Sequence, residues 1–253
     1  MNPARGADGI GLALPSHGNW RRLASPVVFH AWAGRAVPWF AALACVLALA
    51  GLAVGFFVAP TDHQQGEVYR IIFIHVPAAW MSMFLYLVAA AHAAWGLIFN
   101  TRLSALMARA LAPTGALFTV IALWTGAVWG KPTWGTWWVW DARLTSELVL
   151  LFLYLGYLGL VSAIDDPRRA DRGGAILLLA GVVNIPVIYF SVQWWNTLHQ
   201  GASISLTAAP AMAHTMLAGL LLMVGACWAY SVAVALARVR CLIVDRQALD
   251  RRR

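Results

Sequence analysis

Six stretches of this chain stay apolar long enough to cross a bilayer, and that count limits what it can fold into. A spanning helix needs about 20 mostly apolar residues at a rise of about 1.5 Å each. Segments 38–59, 71–99, 104–129, 145–164, 174–193 and 209–236 meet the requirement. With 61% of residues hydrophobic and only 11% charged, a soluble core is excluded. The expectation is an all-α polytopic membrane protein with six transmembrane helices. Residues 1–37 form an N-terminal leader, 38–236 the six-helix domain and 237–253 a basic tail. The leader has no compact apolar core followed by a small-residue cleavage site, so it does not read as a removed signal peptide.

An even number of spans returns both termini to one side, and the distribution of Lys and Arg says which. The leader carries four, the second connection Arg102 and Arg109, the fourth Arg168, Arg169 and Arg172, and the tail six. Only Arg70, Lys131 and Arg143 fall on the opposite side. The positive-inside rule therefore makes both termini cytoplasmic and the first, third and fifth connections outward-facing. The net charge of +8 is thus topological, and no nucleic-acid partner is expected. Cys45, Cys227 and Cys241 form no C-x-x-C pair and no C-x-x-C-H signature. The chain is neither an evident thiol oxidoreductase nor itself a c-type cytochrome.

The third connection, about residues 130–144, holds the stretch WGTWWVWD, with four tryptophans in seven residues. Trp124 and Trp129 precede it, giving six in seventeen. Trp134, Trp137 and Trp138 are spaced i, i+3, i+4, so a helix would set them on one face as an aromatic shelf, with Trp140 lying off it. Gly130, Lys131, Pro132 and Gly135 before the stretch, and Asp141 and Arg143 after it, read as loop punctuation. Tryptophans also anchor proteins at bilayer interfaces. An anchoring belt would decorate both sides, however, and here Trp129, Trp134, Trp137, Trp138, Trp140, Trp194 and Trp195 gather on one. Flat rings at that density suit a large, flat, apolar partner.

The fifth connection, about residues 194–208, supplies WWNTLHQG and with it His199. His75 lies near the outer start of the second span, with Pro77 expected in that helix's first turn. Two neutral imidazoles from different elements can ligate an iron from opposite sides, as in bis-histidine haem sites. A lone interfacial histidine more often bonds only water or a carbonyl, and His63 and His214 are rival ligands. A porphyrin also brings two propionates. Among Arg70, Lys131 and Arg143, the last follows the tryptophans directly and suits bidentate carboxylate pairing, unless it pairs with Asp141 or Glu147. Asp141 either shapes the loop or caps the fourth span. Pro186, two residues after Asn184, should kink the fifth span or free a carbonyl. Gly51 and Gly55 form a G-x-x-x-G pair that permits close helix contact.

The runs WGKPTWGTWWVWDARLTSELVL, HVPAAW and WWNTLHQG together closely resemble the cytochrome c maturation C family. Its members are bacterial inner-membrane haem-handling proteins of the tryptophan-rich, or WWD-domain, group. The match covers roughly residues 38–236. The resemblance implies that haem b is held as cargo at the periplasmic face, with His75 and His199 as axial ligands to its iron. The platform would be Trp129, Trp134, Trp137, Trp138, Trp140 and Asp141, with Arg143 beside it. It further implies delivery to a periplasmic haem chaperone, the E protein, in concert with an ATP-binding-cassette pair (the A and B proteins) and a small D protein. No G-x-x-x-x-G-K-[S/T] motif occurs in the chain, so ATP hydrolysis would fall to a partner. The expectation is a carrier, not an enzyme. Two rivals remain open: a bis-histidine membrane cytochrome passing electrons to quinone, and a pore for haem, although no span carries a row of polar groups to line one.

Overall fold

The computed structural model describes residues 25–195, 197, 199, 210 and 212–252, the side chains of 249, 250 and 252 excepted. Most of the leader, most of the fifth connection and Arg253 lie outside the described residues. The described chain is helical: α1 (Pro26–Ala53), α2 (Ile72–Phe99), α3 (Arg102–Trp134), α4 (Ala142–Ala163), α5 (Pro167–Gly181), α6 (Asn184–Trp194) and α7 (His214–Arg252). Six helices or helix pairs are long and apolar enough to span a membrane, with α5 and α6 together making the fifth. The all-α, six-span expectation is borne out.

Several helices run past the limits set by hydropathy, because a helix continues into the interface wherever its backbone bonds are satisfied. α1 begins at Pro26, within the segment read as leader, and α7 continues through the basic tail. α3 passes through Pro132 to Trp134, so the punctuation read at Gly130, Lys131 and Pro132 is one turn early. Pro77 sits in the second turn of α2, not its first, after a 3₁₀ turn at Glu67–Ile71.

α2 is the axis of the bundle, packing on α3, α5 and α7, while α1 lies along α7. Phe29 of α1, Leu106 and Ala110 of α3, and Val239 and Ile243 of α7 share one cluster. The start of α1, the end of α7 and the α2–α3 turn therefore occupy the same end. At the other end Gly55 and Gly219 let α1, α2 and α7 close up, since a methyl group on Gly55 would strike the Phe73 ring and Gly219 lies against the Gly55 backbone. Gly51 meets Met223 in the same way, so the G-x-x-x-G pair is a packing device.

α1 ends in a π-helical turn, Val54–Val58, closed by the Ala59 N–H on the Val54 carbonyl at 2.8 Å. A π turn leaves carbonyls badly directed for their own helix. Arg70 reaches across to the carbonyls of Gly55 and Ala59, also pairing with Glu67, and the Tyr69 hydroxyl donates to Pro60 O at 2.7 Å. The first connection is thereby stitched down.

The fifth span breaks at Val182–Val183. Pro186 cannot donate to the Val182 carbonyl, which instead accepts the Ile185 N–H at 3.0 Å, and Asn184 Nδ2 donates to Ser146 O of α4 at 2.9 Å. Mid-bundle, Tyr154 donates to Ser82 O at 2.8 Å, and Ser82 Oγ lies 2.8 Å from Glu147 Oε1. Ser82, Tyr154 and Glu147 are all buried, and Glu147 also borders a cleft at one end of the bundle.

Candidate functional site

At the end of the bundle opposite the termini, α2, the C-terminal turns of α3, the 135–141 loop, the start of α4 and His199 enclose a cleft. It holds about 690 Å³ of empty space, mouth included, under a predominantly apolar lining. His75, His199, Trp129, Trp134, Trp137, Trp138 and Arg143 all line it. Residues 124 apart in sequence meet there: the His75 and His199 ring centres are 6.2 Å apart, with 35° between their planes.

His75 is held from several sides. Its Nδ1 lies 3.0 Å from Thr125 Oγ1, whose hydroxyl donates to the Ile121 carbonyl at 2.6 Å. With that hydroxyl proton on Ile121 O, Thr125 Oγ1 offers an acceptor to a His75 Nδ1–H, the tautomer that keeps a lone pair on Nε2. Gly126 makes room for the ring, since a Cβ there would sit 3.1 Å from His75 Cε1. The Trp129 indole meets the imidazole edge-on at 5.5 Å, and Trp129 Nε1 donates to Gln65 Oε1 at 2.8 Å. Gln65 is placed by a turn in which Asp62 Oδ1 accepts the Gln64 and Gln65 amides. Those amides, the Gln65 N–H foremost, hold the Asp62 carboxyl below its ordinary range.

The tryptophans do not form a helical shelf. α3 stops at Gly135, whose φ of +80° a side chain would resist, and its N–H closes on Lys131 O at 3.0 Å. Thr136 Oγ1 then donates to Trp138 O at 3.0 Å and bends the loop, whose residues Thr136 to Val139 line the cleft. Gly130 permits this return, because a Cβ there would lie 3.0 Å from Thr136 O. Trp134, the last helical residue, sits 6.3 Å from the His199 ring. Trp137 and Trp138 come from the loop, and the buried Trp138 Nε1 has no hydrogen-bond partner among the described residues.

Other expected residues fall outside the cleft. Trp140 is 77% exposed and meets only the edge of Trp138, at 5.4 Å. Asp141 caps α4, accepting the Leu144 N–H at 2.8 Å. Trp194 stacks on Phe190 and lines no part of the cleft. Of the rival histidines, His63 is exposed in the first connection and His214 is exposed at the start of α7; neither reaches the cleft. Arg70 serves the π turn, and Lys131 Nζ donates to Gly135 O at 3.1 Å. That leaves Arg143, which donates to Ile188 O of α6 at 2.6 Å and makes no ion pair with Asp141 or Glu147.

Thr125, Gln65 and Thr136 position this site, and the sequence reading named none of them. A threonine facing a histidine fifty residues away leaves no local pattern. Glu147, which also lines the cleft, did carry a signal, because a carboxylate within a span is costly unless it has work to do.

A family profile described as "CcmC: Heme exporter protein C" matches residues 19–253. Heme exporter protein C of Escherichia coli (strain K12) is 54% identical over 182 residues, 72% of this chain and 74% of that one. The protein of the same name from Bradyrhizobium diazoefficiens is 45% identical over 228 residues, 89% and 85% of the two chains. A putative cytochrome c biosynthesis ccmC-like mitochondrial protein of Marchantia polymorpha is 50% identical over 152 residues, 60% and 64% of the two. With nearly its whole length matched, this six-span chain belongs to the heme exporter protein C family.

Proposed function

We propose that this multi-pass membrane protein holds haem b as cargo in the tryptophan-walled cleft and passes it to a soluble chaperone during cytochrome c maturation. The observation that carries this reading is the separation of the two imidazoles. Metal–imidazole bonds of about 2 Å on each side of an iron place the ring centres about 6 Å apart, and here they are 6.2 Å apart. A bare ion would need about four ligands, and among the described residues no three His, Cys, Asp or Glu side chains converge. A porphyrin supplies four of its own and asks the protein for two.

The surroundings fit the rest of the molecule. Trp134, Trp137 and Trp138 offer apolar faces to the macrocycle, the unsatisfied Trp138 Nε1 offers a donor, and Arg143 is the cation available to a propionate. Under the positive-inside rule the cleft faces the periplasm of an inner membrane, where the E-type chaperone would collect the cargo. The A, B and D proteins are the expected membrane partners. The family is one of transport proteins, and no enzymatic step is assigned. A quinone-linked cytochrome would bury its ligands mid-span, whereas His75 is the fourth residue of α2.

Detergent-purified protein should show a bis-histidine Soret spectrum, and His75→Ala and His199→Ala should each abolish it. Full haem retention by both variants would overturn the ligand assignment. Haem appearing on added apo-chaperone tests delivery, and reduction by quinol without transfer would favour the cytochrome.

A further inference from the structure

The bundle has a second and larger recess at the end bearing the termini, about 2640 Å³ by the measure that gives 690 Å³ for the cleft. It opens between α5 and α7. Those helices make little contact beyond one ion pair, Arg246 Nη2 to Asp171 Oδ1 at 2.8 Å. Four arginines line the recess, Arg102, Arg168, Arg172 and Arg246, against two aspartates, Asp166 and Asp171. Apolar side chains of Ala93, Leu97, Leu106 and Ile176 complete its wall.

We propose that this recess binds an anionic phospholipid, with the headgroup phosphate between Arg168 and Arg172 and an acyl chain along the apolar wall. The charge balance comes first. Arg246 is paired and Asp166 caps α5, accepting the Arg169 N–H at 2.8 Å, whereas Arg168 and Arg172 are exposed and make no ion pair or hydrogen bond through their side chains among the described residues. They stand i, i+4 on one face of α5, a spacing that lets two guanidinium groups address one phosphate. The amphipathic shape comes second: a soluble phosphate has no use for an apolar floor, and basic recesses between spans at this kind of surface suit acidic lipid.

Two other occupants fit less well. The leader that precedes Pro26 carries Arg5, Arg21 and Arg22 against Asp8, the same sign as the recess. A porphyrin would find no histidine, cysteine or methionine there.

Native mass spectrometry of the full-length protein in detergent, offered equal phosphatidylglycerol and phosphatidylcholine, tests the site. The phosphatidylglycerol adduct should exceed the phosphatidylcholine adduct by about ten-fold or more. Arg168→Ala/Arg172→Ala should bring that ratio to near unity with an unchanged helical spectrum and melting profile. Arg168→Lys/Arg172→Lys, which keeps the charge, should retain most of the preference. Equal binding of the two lipids, or a preference surviving the alanine pair, overturns the proposal. So does displacement of phosphatidylglycerol by millimolar inorganic phosphate, which would mark a soluble-anion site.

Discussion

The two histidines of the cleft reach the same place by opposite means. His75 stands on a spanning helix, with its Nδ1 3.0 Å from Thr125 Oγ1, its ring seated against Gly126 and its edge covered by Trp129. His199 hangs from a connection beyond the end of α6, and the ring contacts found for it are Trp134 and His75 itself. One imidazole is carried by a spanning helix and the other by a connection, so the two are positioned by different parts of the fold.

The sharpest way to break that contrast is chemical rescue. If His75→Ala and His199→Ala both lose the bis-histidine spectrum, millimolar imidazole should restore it only in His199→Ala. The space around His75 is closed by Thr125, Gly126 and Trp129, against which an added imidazole would have to fit. Equal rescue of both variants would erase the distinction. A smaller effect is expected from Thr125→Val, which keeps the shape but removes the acceptor of the Nδ1 proton. Haem affinity should fall by about 10–100-fold, the range seen when a ligand loses its orienting partner, and Thr125→Ser should largely restore it. An unchanged titration for the valine variant would show that the tautomer needs no fixing. Smallest is Gln65→Ala, which leaves the Trp129 indole N–H without its acceptor at a cost of about 1–3 kcal/mol. It should lower the melting midpoint of the apo protein while shifting haem binding only a few-fold. A loss as large as that of His75→Ala would mean that the first connection is itself part of the binding surface.

How much of this was legible in sequence depends on which physics set each feature. The spans were readable because a bilayer imposes length and apolarity on every crossing. The meeting of His75 and His199 was readable as a shared side of the membrane, though not as a distance, since bundle packing decides which helix ends adjoin. The aromatic shelf failed for a local reason. The i, i+3, i+4 spacing presumed a helix through Trp138, but Gly135 ends α3 in a left-handed residue and Thr136 reverses the chain. The cleft keeps Trp134, Trp137 and Trp138 by folding and excludes Trp140. Pro132 misled in the other direction, since a proline tolerated one turn from a helix end does not stop it.

The interruption at Val182–Val183 ties together parts that otherwise look separate. Beyond it, α6 supplies the Ile188 carbonyl that anchors Arg143 and then runs out into the segment that carries His199. Under the proposed function, Arg143 and His199, at two edges of the cleft, would therefore both depend on where this one half-helix is set.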